Sequence, residues 1–170
     1  MTPVPRLATP RLVLDGHRPD DLDALAAMWA DPAVYRGAGG RARPREEVWI
    51  RLLRSIGTWA VFGYGSWVVR HRDDGEAIGE VGLIEARREI APPLALPEMG
   101  WTLASQAHGR GLAREALDAV LAWCDAGRIA RTTCIIDPDN AASLRLAERV
   151  SYRVVRDARY HDRPIRVLER

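Results

Sequence analysis

The chain has 170 residues, with 25 basic against 23 acidic side chains and a formal net charge of +2, so it has the length of one domain and no charge field pointing to nucleic acid or membrane lipid. Every basic residue is Arg, which excludes chemistry that depends on lysine: Schiff-base catalysis, a P-loop nucleotidase, a protein kinase. Cys124 and Cys134 stand far apart without metal-ligand spacing, and no run of about 18 apolar residues or leader-like segment occurs, so a cytoplasmic protein with two buried thiols, no metal and no membrane partner is expected over residues 1–170.

Arg11 to Gly16 reads as a first strand after Pro10, and Pro19-Asp20-Asp21 opens a helix that Asp31-Pro32 ends. Arg36 to Arg45, with three glycines and four arginines, reads as an exposed loop. A second helix runs from Pro44 to Gly57. Two strands, Gly65–Arg70 and Ala77–Glu85, flank Arg72-Asp73-Asp74-Gly75, whose Asp-Gly pair signals a hairpin. Leu96–Leu103 is a further strand, and the helix after it continues to about Ala126, where Gly127 fits its stop. Thr132–Ile136 is a short strand, Ala141–Val150 a helix, and Tyr152–Val155 and Pro164–Leu168 are the last strands, joined through Arg156 to Arg163. Helical crossovers favour parallel neighbours and tight turns antiparallel ones, so this order predicts a mixed α/β sheet with helices on both faces.

The most informative stretch is Gln106-Ala107-His108-Gly109-Arg110-Gly111-Leu112-Ala113, between the strand ending at Leu103 and the helix opening at Arg114. Two residues without Cβ let the backbone turn tightly and present its N–H groups, and the following helix adds unpaired donors and the positive end of its dipole. The junction should hold an anion, most simply a phosphate. A dinucleotide fingerprint would need a third glycine where Arg114 stands.

Set in this order, the sequence resembles the GNAT superfamily of acetyl-CoA-dependent N-acetyltransferases over nearly its whole length. Thr9-Pro10-Arg11-Leu12-Val13-Leu14 with Asp20-Asp21 and Asp31-Pro32 looks like the opening of the RimJ/RimL-like branch. Glu98-Met99-Gly100-Trp101 precedes Gln106-x-x-Gly109-x-Gly111-x-Ala113, which is similar to the family's pyrophosphate loop. Asn140-x-x-Ser143 matches the family's cofactor-side helix, and Val150-Ser151-Tyr152 stands in place of its usual Gly-Phe or Gly-Tyr, with Ser151 a departure. The resemblance implies a mostly antiparallel seven-stranded sheet with about four helices, the cofactor lying where the fourth and fifth strands splay apart.

It also implies acetyl-CoA as cosubstrate, an amine acceptor, and a monomer or homodimer. The pantetheine arm would lie along Trp101, Thr102 and Leu103. The pyrophosphate would meet Gln106, His108, Gly109, Arg110, Gly111, Leu112, Ala113 and Arg114, with Asn140 and Ser143 completing the site. A neutral amine is needed for attack, whereas a free alkyl amine has a pKa of roughly 10. Glu98 is the first candidate for its proton and Glu80 the second. Ser143 and, behind it, Tyr152 are candidates to protonate the leaving thiolate. Trp29 to Arg45, Trp49 and the loop at Tyr160 and His161 would meet the acceptor. A non-catalytic acyl-CoA-binding module of the same fold is the alternative.

Overall fold

In the computed structural model, which describes residues 3–127 and 129–170, eight strands form one sheet. They are β1 Leu7–Ala8, β2 Leu12–Asp15, β3 Ser66–His71, β4 Ala77–Ile84, β5 Glu98–Leu103, β6 Thr133–Ile136, β7 Arg153–Tyr160 and β8 Arg163–Glu169, in the order β1-β2-β3-β4-β5-β6-β8-β7. The helices are α1 Leu22–Ala30, α2 Pro32–Tyr35, α3 Arg45–Phe62, α4 Leu112–Ala126 and α5 Ala141–Arg149. Only β5 and β6 are parallel neighbours, and they share the single register pair Glu98↔Thr133.

Strand alternation sends successive side chains to opposite faces, and the β4–β5 register decides which. Val81 opposite Trp101 and Leu83 opposite Met99 face α4, whose Leu112, Ala116, Leu117, Val120, Leu121 and Cys124 recur at three- and four-residue spacing and close the main core. Each buried leucine or valine among them contributes about 1.5–3 kcal/mol by leaving water. Glu80 opposite Thr102, Gly82 opposite Gly100 and Ile84 opposite Glu98 face the other way. That side is covered by α1 to α3, where Leu25, Met28, Trp29, Val34, Val48 and Leu52 form a second cluster that reaches Ala104.

The expected mixed, mostly antiparallel sheet is present, with eight strands rather than seven and five helices rather than four. The extra strand β1 is two residues long and pairs Leu7 with Leu14. The extra helix α2 follows Asp31, whose carboxylate caps it by accepting from Ala33 N–H. Helix α3 does not stop at Gly57 but runs to Phe62, with Gly63 in the left-handed conformation behind it. Burial of Thr58 and Trp59 beyond that glycine outweighs its cost of about 1 kcal/mol.

The final strands also differ. Residues 156–160 are not a connection but the outer half of β7, joined to β8 by a two-residue turn in which His161 and Asp162 both have positive φ, 49° and 59°. An edge strand of mostly exposed residues carries little apolar signal, and His-Asp is a weaker turn cue than Asn-Gly.

Candidate active site

Ladder hydrogen bonds alternate between a strand's two neighbours, and the phase of β5 is readable at both ends. Ala104 N–H donates to Ile78 C=O on the β4 side, whereas Thr133 N–H donates to Pro97 C=O on the β6 side. Trp101 and Leu103 are in phase with Pro97, so their backbone groups face β6. Past Glu98↔Thr133 the two strands have no further register pair, and a wedge opens with the Trp101 and Leu103 N–H groups on its wall. The Leu103 C=O is occupied by His108 Nε2–H at 2.8 Å, which draws the following loop back against the strand end.

That loop begins as a short 3-10 turn over Ser105–Ala107, with Gln106 exposed, and reaches α4 through Gly109 (φ 71°) and Gly111 (φ 76°). Both glycines adopt a conformation that side chains with a Cβ resist, and Gly111 serves as N-cap without any side-chain cap. The N–H groups of Leu112, Ala113 and Arg114 therefore lack acceptors among the described residues, as the first turn of an uncapped helix must. Arg110 is exposed beside them, whereas Arg114 is paired with Asp118 at 2.6 Å. A diphosphate fits this set of unclaimed donors, and no group of three or more His, Cys, Asp or Glu among the described residues could hold a metal.

Across the sheet lies a cavity of about 50 Å³ lined by Trp29, Arg51, Arg54, Glu80, Gly100 and Thr102, among others. Glu80 accepts from His17 Nε2–H at 2.8 Å and from Trp29 Nε1–H at 3.0 Å. Burial by itself would raise its carboxyl, but the bond and charge of His17, the nearby Arg51 and the Trp29 bond overcome this and hold it at about 2. Glu98 sits at the closed end of the wedge, 6% exposed, in a two-point ion pair with Arg88 at 2.7 and 2.8 Å. The two acids thus lie four residues apart along the β4–β5 ladder with the Gly82–Gly100 pair between them, and Glu80 is the one beside Thr102.

On α5, Asn140 uses both ends of its amide: Oδ1 accepts from Ser143 N–H and Nδ2–H donates to Gly37 C=O. This caps the helix and fastens it to the segment after α2. Ser143 is half-buried, and its hydroxyl has no hydrogen bond among the described residues. Tyr152 is fully buried, its ring 6.5 Å from that of Trp101 and its hydroxyl bonded to Thr132 Oγ1. Burial pushes that phenol well above its ordinary range. Of the expected acceptor contacts, Trp29 lines the cavity and Trp49 packs into the helical cluster instead. Tyr160 lies under the Arg88 guanidinium, 4.9 Å from it, in the β7–β8 turn region.

Three groups escaped the sequence reading. Thr9, Arg11 and Glu115 join β2 to the first turn of α4, Glu115 accepting from Thr9 Oγ1, Arg11 N and Arg11 Nε at 2.6 to 2.9 Å. Arg11 also donates to Arg110 C=O and so braces the glycine loop. His17 and Arg51 are likewise placed only by tertiary packing; a lone His and a helical Arg give no pattern to find.

With this geometry in hand, the chain can be set beside others. The model of the acetyltransferase (GNAT) domain matches residues 11–153. A Bordetella pertussis protein described as a GnaT-family acetyltransferase is 33% identical, with a TM-score of 0.84 over 97% of this chain and 98% of its own. YkkB of Bacillus subtilis is 27% identical over 155 residues, 89% of this chain and 86% of that protein. RimL, a ribosomal L7/L12 α-N-protein acetyltransferase solved in complex with coenzyme A, shares the fold at a TM-score of 0.78 and 14% identity, over 98% of this chain and 97% of its own. Because the domain match runs from the edge of β2 to the first residue of β7, and so takes in the wedge, the glycine loop and α5 together, the chain belongs to the GNAT acetyltransferase family.

Proposed function

We propose that the protein transfers the acetyl group of acetyl-CoA to a primary amine by direct attack, with both substrates bound at once. The observation that carries this reading is the phase of β5, which leaves the Trp101 and Leu103 N–H groups unclaimed on one side of the strand while Thr102 stands beside Glu80 on the acceptor side. Pantetheine fits along Trp101 to Leu103, and the pyrophosphate fits the donors from His108 to Arg114, with Asn140 acting through the α5 cap. When bound, acetyl-CoA supplies the activated thioester.

The protein then has three tasks. The Leu103 N–H, aimed into the wedge, meets the charge that develops on the acetyl oxygen. Glu80 replaces Glu98 as first candidate on the amine side, because Arg88 already holds both oxygens of Glu98. A carboxylate held at about 2 orients an amine better than it deprotonates one. The amine, protonated when it binds, must therefore give up its proton on the way to attack, to solvent or to the leaving sulfur. Ser143 is favoured over Tyr152 as the proton donor to sulfur, since its hydroxyl is free while that of Tyr152 is sealed and bonded. A thiol pKa near ~8.5 makes the thiolate a fair leaving group, so this proton helps without being essential. Placement of the two substrates can itself supply about 7–11 kcal/mol.

The test is release of free CoA thiol from acetyl-CoA across a panel of amines and peptides. Amine-dependent release is expected, with Glu80→Gln lowering kcat/KM on the order of a hundredfold. If acetyl-CoA binds and no amine releases thiol above background, the chain is an acyl-CoA-binding module. Failure to bind acetyl-CoA would sink both readings.

A further inference from the structure

The acceptor cavity contains cations that the acetyl-transfer chemistry does not use. Trp29 is covered on its ring by two guanidinium groups, Arg43 at 4.7 Å and Arg51 at 4.6 Å. Arg43 is matched by Glu47 on the next turn of chain, but Arg51 has neither ion pair nor side-chain hydrogen bond among the described residues. Its Nε is sealed from solvent without a partner. Arg54, one helical turn further along the same face of α3, lines the cavity too and is also without an acidic partner among the described residues. The neighbouring hydroxyls do not satisfy them: Ser55 and Thr58 donate to the Arg51 and Arg54 carbonyls of their own helix.

A guanidinium whose Nε is desolvated and unbonded is unfavourable even with the charges of Glu80 and Glu47 nearby, so a site that keeps one is arranged for an anion that arrives with the ligand. Stacking on Trp29 holds Arg51 in place beforehand, and its fork matches a carboxylate at two points. Glu80 lines the same cavity and carries the reverse charge, beside Thr102 and bonded to the edge of the Trp29 ring. The cavity that these groups line is small, about 50 Å³, and favours a short ligand. We infer that the acceptor is a small amino acid, or an equally short primary amine carrying its own carboxylate, with the carboxylate on Arg51 and Arg54 and the amine on Glu80. This deepens the acetyl-transfer reading above and rests on it. In a peptide N-terminus the same position is a neutral amide, which would leave Arg51 bare. The reaction forms the bond from nitrogen to the acetyl carbon and breaks the bond from that carbon to sulfur. One amine proton leaves to solvent or sulfur, and the products are the N-acetyl amino acid and free CoA.

The experiment compares glycine, L-alanine, L-serine and β-alanine with glycinamide, L-alaninamide and alanylglycine. Thiol release is followed, and each compound is also titrated calorimetrically into the CoA-loaded protein. In the native protein the acids should exceed their amides in kcat/KM by on the order of tenfold to hundredfold. Arg51→Met, which keeps an unbranched side chain over Trp29, should shrink that ratio toward one through KM, and Arg54→Met should shrink it partway. Amides or the dipeptide used as well as the acids would overturn the inference and point to peptide N-termini. If Arg51→Met fails to fold, the native ratio and Arg54→Met still decide. If nothing releases thiol while acetyl-CoA binds, acetyl transfer fails, and calorimetry still judges the carboxylate site: selective binding of the acids supports it, and no binding of them refutes it.

Discussion

Ser151 stands at φ 73°, where the chain leaves α5 and turns into β7. Its N–H donates to Glu148 C=O, and Tyr152 N–H donates to Ala147 C=O, a helix end that ordinarily uses glycine. The left-handed conformation costs a side chain with a Cβ about 1–2 kcal/mol, partly offset because glycine loses more freedom on folding. Ser151→Gly should therefore stabilise the protein by about 0.5–1 kcal/mol, seen as a higher urea midpoint with unchanged slope. Glu80 sets a second expectation. Its folded pKa lies near 2, below the ordinary 4.5, so the stability it contributes is whole above about pH 4.5 and is lost as pH falls toward 2. Between pH 5 and 3 the urea midpoint of the native protein should fall more steeply than that of Glu80→Gln. Parallel slopes would contradict the depressed pKa.

The glycine loop and α4 act as one element. Arg11, Glu115 and Thr9 fix the first turn of the helix to β2, so the loop N–H groups are aimed before any ligand arrives. Replacing Gly109 or Gly111 by valine should raise the acetyl-CoA dissociation constant by tenfold or more while the far-ultraviolet circular dichroism stays native, since both positions need positive φ and neither side chain would enter the core. Unchanged affinity in a folded variant would remove the phosphate role. This element was legible from its residues, because tight turn, helix start and apolar periodicity are all local properties. Its brace was not, because Glu115 finds Arg11 more than a hundred residues away. The β7–β8 hairpin was misjudged at its tip for a different local reason: Arg153 to Tyr160 is an edge strand mostly turned to water, and its alternation has no apolar phase to follow.

At the scale of the whole molecule, alternation of strands and helices foretold a mixed sheet with helices on both faces. What could not be read was which acid lines the cavity across the sheet from the wedge. Glu80 and Glu98 look alike in sequence, and only the β4–β5 register puts one beside Thr102 and gives the other to Arg88. The same limit hid Arg51, whose meaning comes from having no direct ion-pair or hydrogen-bond partner among the described residues.

Glu98 to Thr133 is the one backbone register pair between the strand set β1–β5 and the set β6, β8 and β7, which otherwise meet through the core packed with α4. Mechanically these are two leaves on a spine, and a strand-like ligand in the gap would serve as the missing rung between them. Cosubstrate affinity and the spacing of one leaf from the other are then coupled. A substitution far from the ligand, on the outer surface of either leaf, could tune binding simply by changing how far the book stands open.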